Sequence, residues 1–289
     1  MQRRRSDVIA QQPTIQRHGA HAIAWNLDHV FYYPTQLVYA APEDYGLTYE
    51  CIRFASTGNA SANELHGWFF PAQGPATGTV VHCHGNAGNI TGHFEQVHWL
   101  PSAGWNLFCF DYRGYGQSAG RPTRAGTIID AHAAIDYVKS RDDVDVERVV
   151  VLGTSLGGAV APVVLAERDD VRGLVVDSAF SSYRQEVRWV CKHRWYTWGV
   201  AGLVARRLIS AGLDPVDAIG RVAPCPVLII QGTADRIVDP SMAKQLFDAA
   251  AEPKELWLID GLGHTEAFDE LPDQARPRVL RFFEKCIST

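Results

Sequence analysis

Eight short, largely apolar runs punctuate the chain. They are YECIRF (49 to 54), ELHGWFF (64 to 70), TVVHCHG (79 to 85), WNLFCFDY (105 to 112), RVVVLG (148 to 153), GLVVDS (173 to 178), CPVLIIQG (225 to 232) and KELWLID (254 to 260). Each has strand length. A half-exposed strand alternates apolar and polar positions, whereas a run apolar on both faces predicts a strand covered on both sides, as in a parallel sheet. The first two runs are joined by TGNAS, a turn-forming cluster, and predict an antiparallel pair.

Helical patterns separate the later runs. GTIIDAHAAIDYVKSR (126 to 141) places Ile128, Ile129, Ala133, Ile135 and Val138 roughly on one stripe. Residues 155 to 167, 241 to 251 and 274 to 286 also read as helices. This alternation predicts an α/β fold with a mostly parallel, eight-stranded sheet flanked by helices. The interval from 178 to 215 breaks the rhythm, with Tyr183, Trp189, Trp195, Tyr196 and Trp198 beside several arginines. It is expected to form a small helical cap over the carboxyl end of the sheet. The competing reading is one crossover helix and a loop. Residues 1–45 read as an N-terminal arm, polar to about residue 20 and aromatic from 25 to 42, leading into a domain at 46–289.

Composition narrows the function. A chain of 289 residues can bury a large core without a metal or disulfide staple. A net charge of −5 gives no pull toward nucleic acid. Arg3, Arg4 and Arg5 can meet acidic lipid headgroups, but a solvated, frayed start is the expectation. No apolar stretch reaches the ~18 residues of a membrane span. No apolar segment follows the basic start as a secretory signal would, so cytoplasmic residence is expected. Cys83, Cys109 and Cys225 lie in or beside apolar runs, where cysteine acts as a small hydrophobe. No cysteine spacing suggests zinc. Oligomeric state is not legible.

Candidate chemistry starts at GTSLGG (153 to 158), between VVVL and AVAPVVL. A tight strand-to-helix turn forces its central residue into a strained backbone, and flanking glycines remove the clashes. Ser155 would then stand above the strand ends, at a helix N-terminus that favours developing negative charge. The bland alternative is an ordinary serine N-cap.

A nucleophilic serine needs a base and an oxyanion hole. HCHGNAGN (82 to 89) follows a strand and opens a glycine-bearing loop, whose Asn86 N–H, with the Leu156 N–H, is the candidate donor pair. His82 and His84 are spaced like a metal pair, but no carboxylate follows closely enough to complete a metal motif, so no metal is expected and His84 reads as a loop brace. Asp235 lies 80 residues after Ser155 and His264 another 29 on. Each follows the carboxyl end of a strand, where open α/β sheets place their sites. Asp239 and Asp177 compete with Asp235 for the acid role.

With these residues in view the chain resembles the α/β-hydrolase superfamily, and within it the Bem-like and ABHD-type serine hydrolases and serine-peptidase-like esterases. The motifs carrying the resemblance are HGNAGN, FDYRGYGQSAGRPT (110 to 123), GTSLGG, SAFSSYR (178 to 184), PCPVLIIQGTADRIV (224 to 238) and GLGHTEAF (261 to 268). The resemblance implies Ser155, Asp235 and His264 as a triad, Asn86 and Leu156 as amide donors, and hydrolysis of an ester, thioester or amide without a cofactor. It also implies that Asp111 and Arg113 brace a loop beside the site. The expected activity is that of a carboxylesterase on small acyl esters of short to medium chain. Thioesterase or lipase action, and a non-catalytic binding role on the same fold, are the alternatives.

Overall fold

In Val149–Thr154, alternate residues serve opposite cores. Val149 and Val151 join one buried cluster, Val150 and Leu152 the other. This is why the run is apolar throughout. The computed structural model describes residues 31–57, 62–192 and 212–288. The arginine-rich start, most of the TGNAS turn, and Trp195, Tyr196 and Trp198 of the expected cap lie outside the described residues.

The eight expected strands form one sheet: β1 (Glu50–Thr57), β2 (Ala62–Phe70), β3 (Thr79–Cys83), β4 (Asn106–Phe110), β5 (Val149–Thr154), β6 (Leu174–Asp177), β7 (Val227–Gly232) and β8 (Lys254–Ile259). Their order is β8-β7-β6-β5-β3-β4-β2-β1. β2 is antiparallel to both β1 and β4; the remaining pairings are parallel. The order reverses around β3 and β5, and register there pairs Cys83 with Gly153 and Thr154 with Asp177. The carboxyl ends of β3, β5 and β6 therefore meet at one place.

The longer helices are α1 (Arg124–Lys139), α2 (Leu156–Leu165), α3 (Tyr183–Lys192), α4 (Ser241–Ala249) and α5 (Pro272–Ile287). α1, α2 and α4 contribute to the first core, α5 to the second. None of the described helices is long and apolar enough to cross a membrane. α1 starts two residues before the expected position because the Thr123 hydroxyl accepts the Gly126 N–H. Its buried face is also rotated from the expected stripe. Ile128, Ala131, Ala134, Ile135 and Val138 are buried, while Ile129 and Ala133 are only half-buried. The cause is polar: Asp130 is buried to receive a two-pronged bond from Arg113, with Nε and Nη2 at 2.9 and 2.7 Å. That pair ties the loop after β4 to α1.

Candidate active site

Ser155 follows β5 with φ 53° and ψ −111°, the strained turn its sequence anticipates. Close approach explains the flanking glycines. A Cβ at Gly153 would lie 2.5 Å from the Gly157 carbonyl oxygen, and one at Gly157 would lie 1.8 Å from that of Cys83. Both obstacles are backbone, so neither can rotate away. Gly157→Ala is expected to cost more than ~4 kcal/mol, a large part of the 5–15 kcal/mol of a typical domain. Denaturant unfolding of any soluble variant checks this. A midpoint within error of the wild type would contradict it.

The Ser155 hydroxyl does not cap α2. Its Oγ lies 3.1 Å from His264 Nε2, and His264 Nδ1 lies 2.7 Å from Asp235 Oδ2. An ionised carboxylate only accepts, so Nδ1 carries the proton and donates it to Asp235. In the neutral ring that leaves the Nε2 lone pair facing the serine hydroxyl. Asp235 is buried, and its oxygens accept further bonds from the Ile237 and Val238 N–H groups and the Gln231 amide. Burial would raise its pKa, but the bond and charge of His264, with the Val238 amide and Gln231, hold the carboxyl below its usual value.

The rival acids are occupied differently. Asp239 accepts the Ser241 N–H at the start of α4. Asp177 is buried and accepts the Ser178 hydroxyl. Burial pushes Asp177 up to about 6.

After β3, the Asn86 side chain is tied down on three sides. Its Oδ1 accepts the Tyr33 N–H and the Tyr115 hydroxyl, and its Nδ2 donates to the Phe31 carbonyl. Tyr33–Pro34 pairs in parallel with Ala87–Gly88, so residues 31–34 run along this loop. Leu156 is the first residue of α2, where a helix leaves N–H groups without an internal acceptor. His84 Nδ1 donates to the Gly85 carbonyl at 2.6 Å, and His82 Nε2 lies 3.2 Å from Thr154 Oγ1. Burial, reinforced by nearby His93, pushes His82 down to about 3 and His84 well below its ordinary value, so both rings are neutral. Among the described residues, no group of three or more His, Cys, Asp or Glu side chains is arranged to hold a metal ion. Asp111 accepts the Ile90 N–H and so braces the same loop.

Sequence reasoning missed Gln231. The signal was a polar residue in VLIIQG at a position that strand alternation assigns to the same core face as Val227 and Ile229. It also missed Glu186 of α3, which is 5% exposed and whose Oε2 has no hydrogen-bond partner among the described residues. Burial, then the charges of Asp235 and Asp239, push this carboxyl up to about 8. A raised carboxyl binds its proton more tightly folded than unfolded, so stability falls as pH rises from about 4 toward 8. Glu186→Gln is expected to flatten that fall and to be the more stable protein at pH 9 by ~3 kcal/mol. Unfolding curves at pH 5 and 9 check it; parallel pH dependences of wild type and variant would contradict it.

Known proteins resemble this chain in sequence and in fold. A family model described as alpha/beta hydrolase fold matches residues 78–190, and one described as serine aminopeptidase, S33, matches residues 177–270. The uncharacterized protein YfhR of Escherichia coli (strain K12) is 35% identical over 265 residues, covering 89% of this chain and 87% of that protein. The alpha/beta hydrolase domain-containing protein WAV2 of Arabidopsis thaliana is 34% identical over 221 residues, covering 73% and 69%. Among solved structures, an esterase of Pyrococcus furiosus superposes with a TM-score of 0.75 at 21% identity, covering 89% of this chain and 98% of that one. That likeness speaks to the fold. With β5 leading into the Ser155 turn, the matched models and these relatives together, the chain belongs to the α/β-hydrolase family.

Proposed function

We propose that the chain is a serine hydrolase, a carboxylesterase cleaving short- to medium-chain acyl esters. The observation that carries this is the unbroken line from Ser155 Oγ through His264 to Asp235, at 3.1 and 2.7 Å. His264 Nε2 takes the hydroxyl proton as Ser155 Oγ bonds to the ester carbonyl carbon. Negative charge moves onto the carbonyl oxygen, where the N–H groups of Asn86 and Leu156 meet it. Donors of this kind are typically worth 10²–10³ in rate each. The C–O bond to the alcohol then breaks, and His264 returns its proton to the departing oxygen. Water repeats the sequence on the acyl-enzyme, releasing the acid and restoring Ser155. His264 carries the proton in each of these steps.

The acyl side of the proposal draws on Phe31, Phe180 and Tyr183, whose ring centroids lie 4.8 to 5.7 Å apart. Phe31 belongs to the segment tied to Asn86, and Phe180 follows closely on β6. Phe180 and Tyr183 are buried in the core and half-buried Phe31 packs on them, so the acyl reading takes Phe31 as the apolar surface beside the Asn86 loop. A panel of p-nitrophenyl esters of graded length, set beside acyl thioesters and aminoacyl anilides, tests the reading. The expected order is short and medium oxygen esters first. Faster turnover of long acyl thioesters would move the assignment to a thioesterase, and of anilides to a peptidase. Absence of turnover on every substrate would leave a binding role on this fold.

A further inference from the structure

We infer that Asp177 and Ser178, at the carboxyl end of β6, form a common anchor for both catalytic segments, with Ser178 a positioning residue for His264. This inference rests on the Ser155–His264–Asp235 reading. The Asp177 carbonyl accepts the Ser155 N–H at 2.8 Å. One residue on, Ser178 Oγ accepts the N–H of Thr265, the neighbour of His264, at 3.1 Å. The Ser178 N–H in turn donates to the Ile230 carbonyl of β7 at 2.9 Å. Two adjacent residues thus tie the nucleophile turn and the histidine loop to the same strand end.

Donor chemistry fixes the direction of each bond. A backbone amide only donates, so the Ser178 oxygen must accept at Thr265. Its own proton must point elsewhere, and Asp177 Oδ1 stands 3.0 Å away to receive it. Asp177 therefore orients the hydroxyl that holds Thr265. Both residues are buried, so water offers little substitute. Backbone conformation agrees: Ser178 and Thr265 sit at φ 52° and 59°, in the left-handed region. Non-glycine residues persist there when surrounding contacts over-determine them. Among the described residues, the other side-chain tie on Thr265 is Gln96, which donates to its hydroxyl at 3.0 Å. Ser178 acts on the Thr265 amide itself, one peptide unit from the base.

Ser178→Gly separates positioning from folding. Glycine accepts the positive φ without strain and removes only the hydroxymethyl group. With p-nitrophenyl butyrate, kcat is expected to fall about 10- to 100-fold. KM should stay within about twofold, because the buried Ser178 hydroxyl is engaged by Asp177 and the Thr265 amide. The thermal midpoint should fall only modestly, because relief of the positive φ offsets part of the cost of leaving the Thr265 N–H and Asp177 Oδ1 unpaired. The downfield proton resonance of the His264–Asp235 bond should broaden or shift. Ser178→Ala should lose activity similarly while keeping the strained backbone. If Ser155→Ala is inactive and Ser178→Gly keeps the wild-type kcat, the anchor is wrong and the triad stands. If Ser155→Ala keeps full activity, the triad reading falls and this inference with it.

Discussion

Ser155→Ala is expected to lower kcat for ester hydrolysis by about 10⁶, with little change in KM. Alanine removes the atom that bonds to the acyl carbon, while the oxyanion donors and the apolar surroundings remain. Residual turnover should then come from those donors acting on water, and burst kinetics should vanish because no acyl-enzyme can form. Stability should change little or improve. The Ser155 hydroxyl does not cap α2, and the N–H that binds the Asp177 carbonyl is retained. Steady-state and burst-phase rates on p-nitrophenyl butyrate measure this. Retention of more than about a tenth of the wild-type rate would contradict the role given to Ser155.

The second large effect is at Asp235. Asp235→Asn is expected to lower kcat by about 10⁴ near neutral pH. Among the described residues, the four groups that bond the carboxylate are N–H donors: Ile237, Val238, Gln231 and His264. An amide offers one acceptor oxygen and two donors, so it cannot satisfy them all. Its NH₂ facing His264 would favour the tautomer protonated at Nε2, and that nitrogen then cannot take the serine proton. The wild-type carboxyl also leaves a mark on stability. It is held below the unfolded value of ~3.9. Its contribution is therefore in place above about pH 4 and is lost as pH falls through the lower folded value. Asp235→Asn should lack that acid-limb loss, and unfolding curves between pH 2 and 5 measure it.

Much of this was legible in the chain because the determining physics was local. The eight strands declared themselves, since a sheet covered on both sides tolerates few polar positions. Ser155 was legible because glycines on both sides of a serine between a strand and a helix have few other uses. His264 was legible from its loop after the last strand. Choosing among Asp235, Asp239 and Asp177 was harder, because all three follow strands or begin helices. What separates them is which carboxylate receives His264 Nδ1, a contact between residues 29 apart. The rotated face of α1 was hidden for a similar reason: Asp130 looks like a surface residue until Arg113 arrives from another element. The Asn86 side chain, tied to Phe31 and Tyr33, was also not foreseeable, because those contacts span more than 50 residues. Long-range polar pairing leaves no periodic trace.

The claim that Ser155 is a reactive nucleophile activated by His264 is tested most directly by a fluorophosphonate probe, with peptide mass spectrometry locating the adduct. One phosphonyl adduct on Ser155 is expected in the wild-type protein, none in Ser155→Ala, and much slower labelling in His264→Ala. An unlabelled wild-type protein, or an adduct that forms equally well in Ser155→Ala, would contradict it.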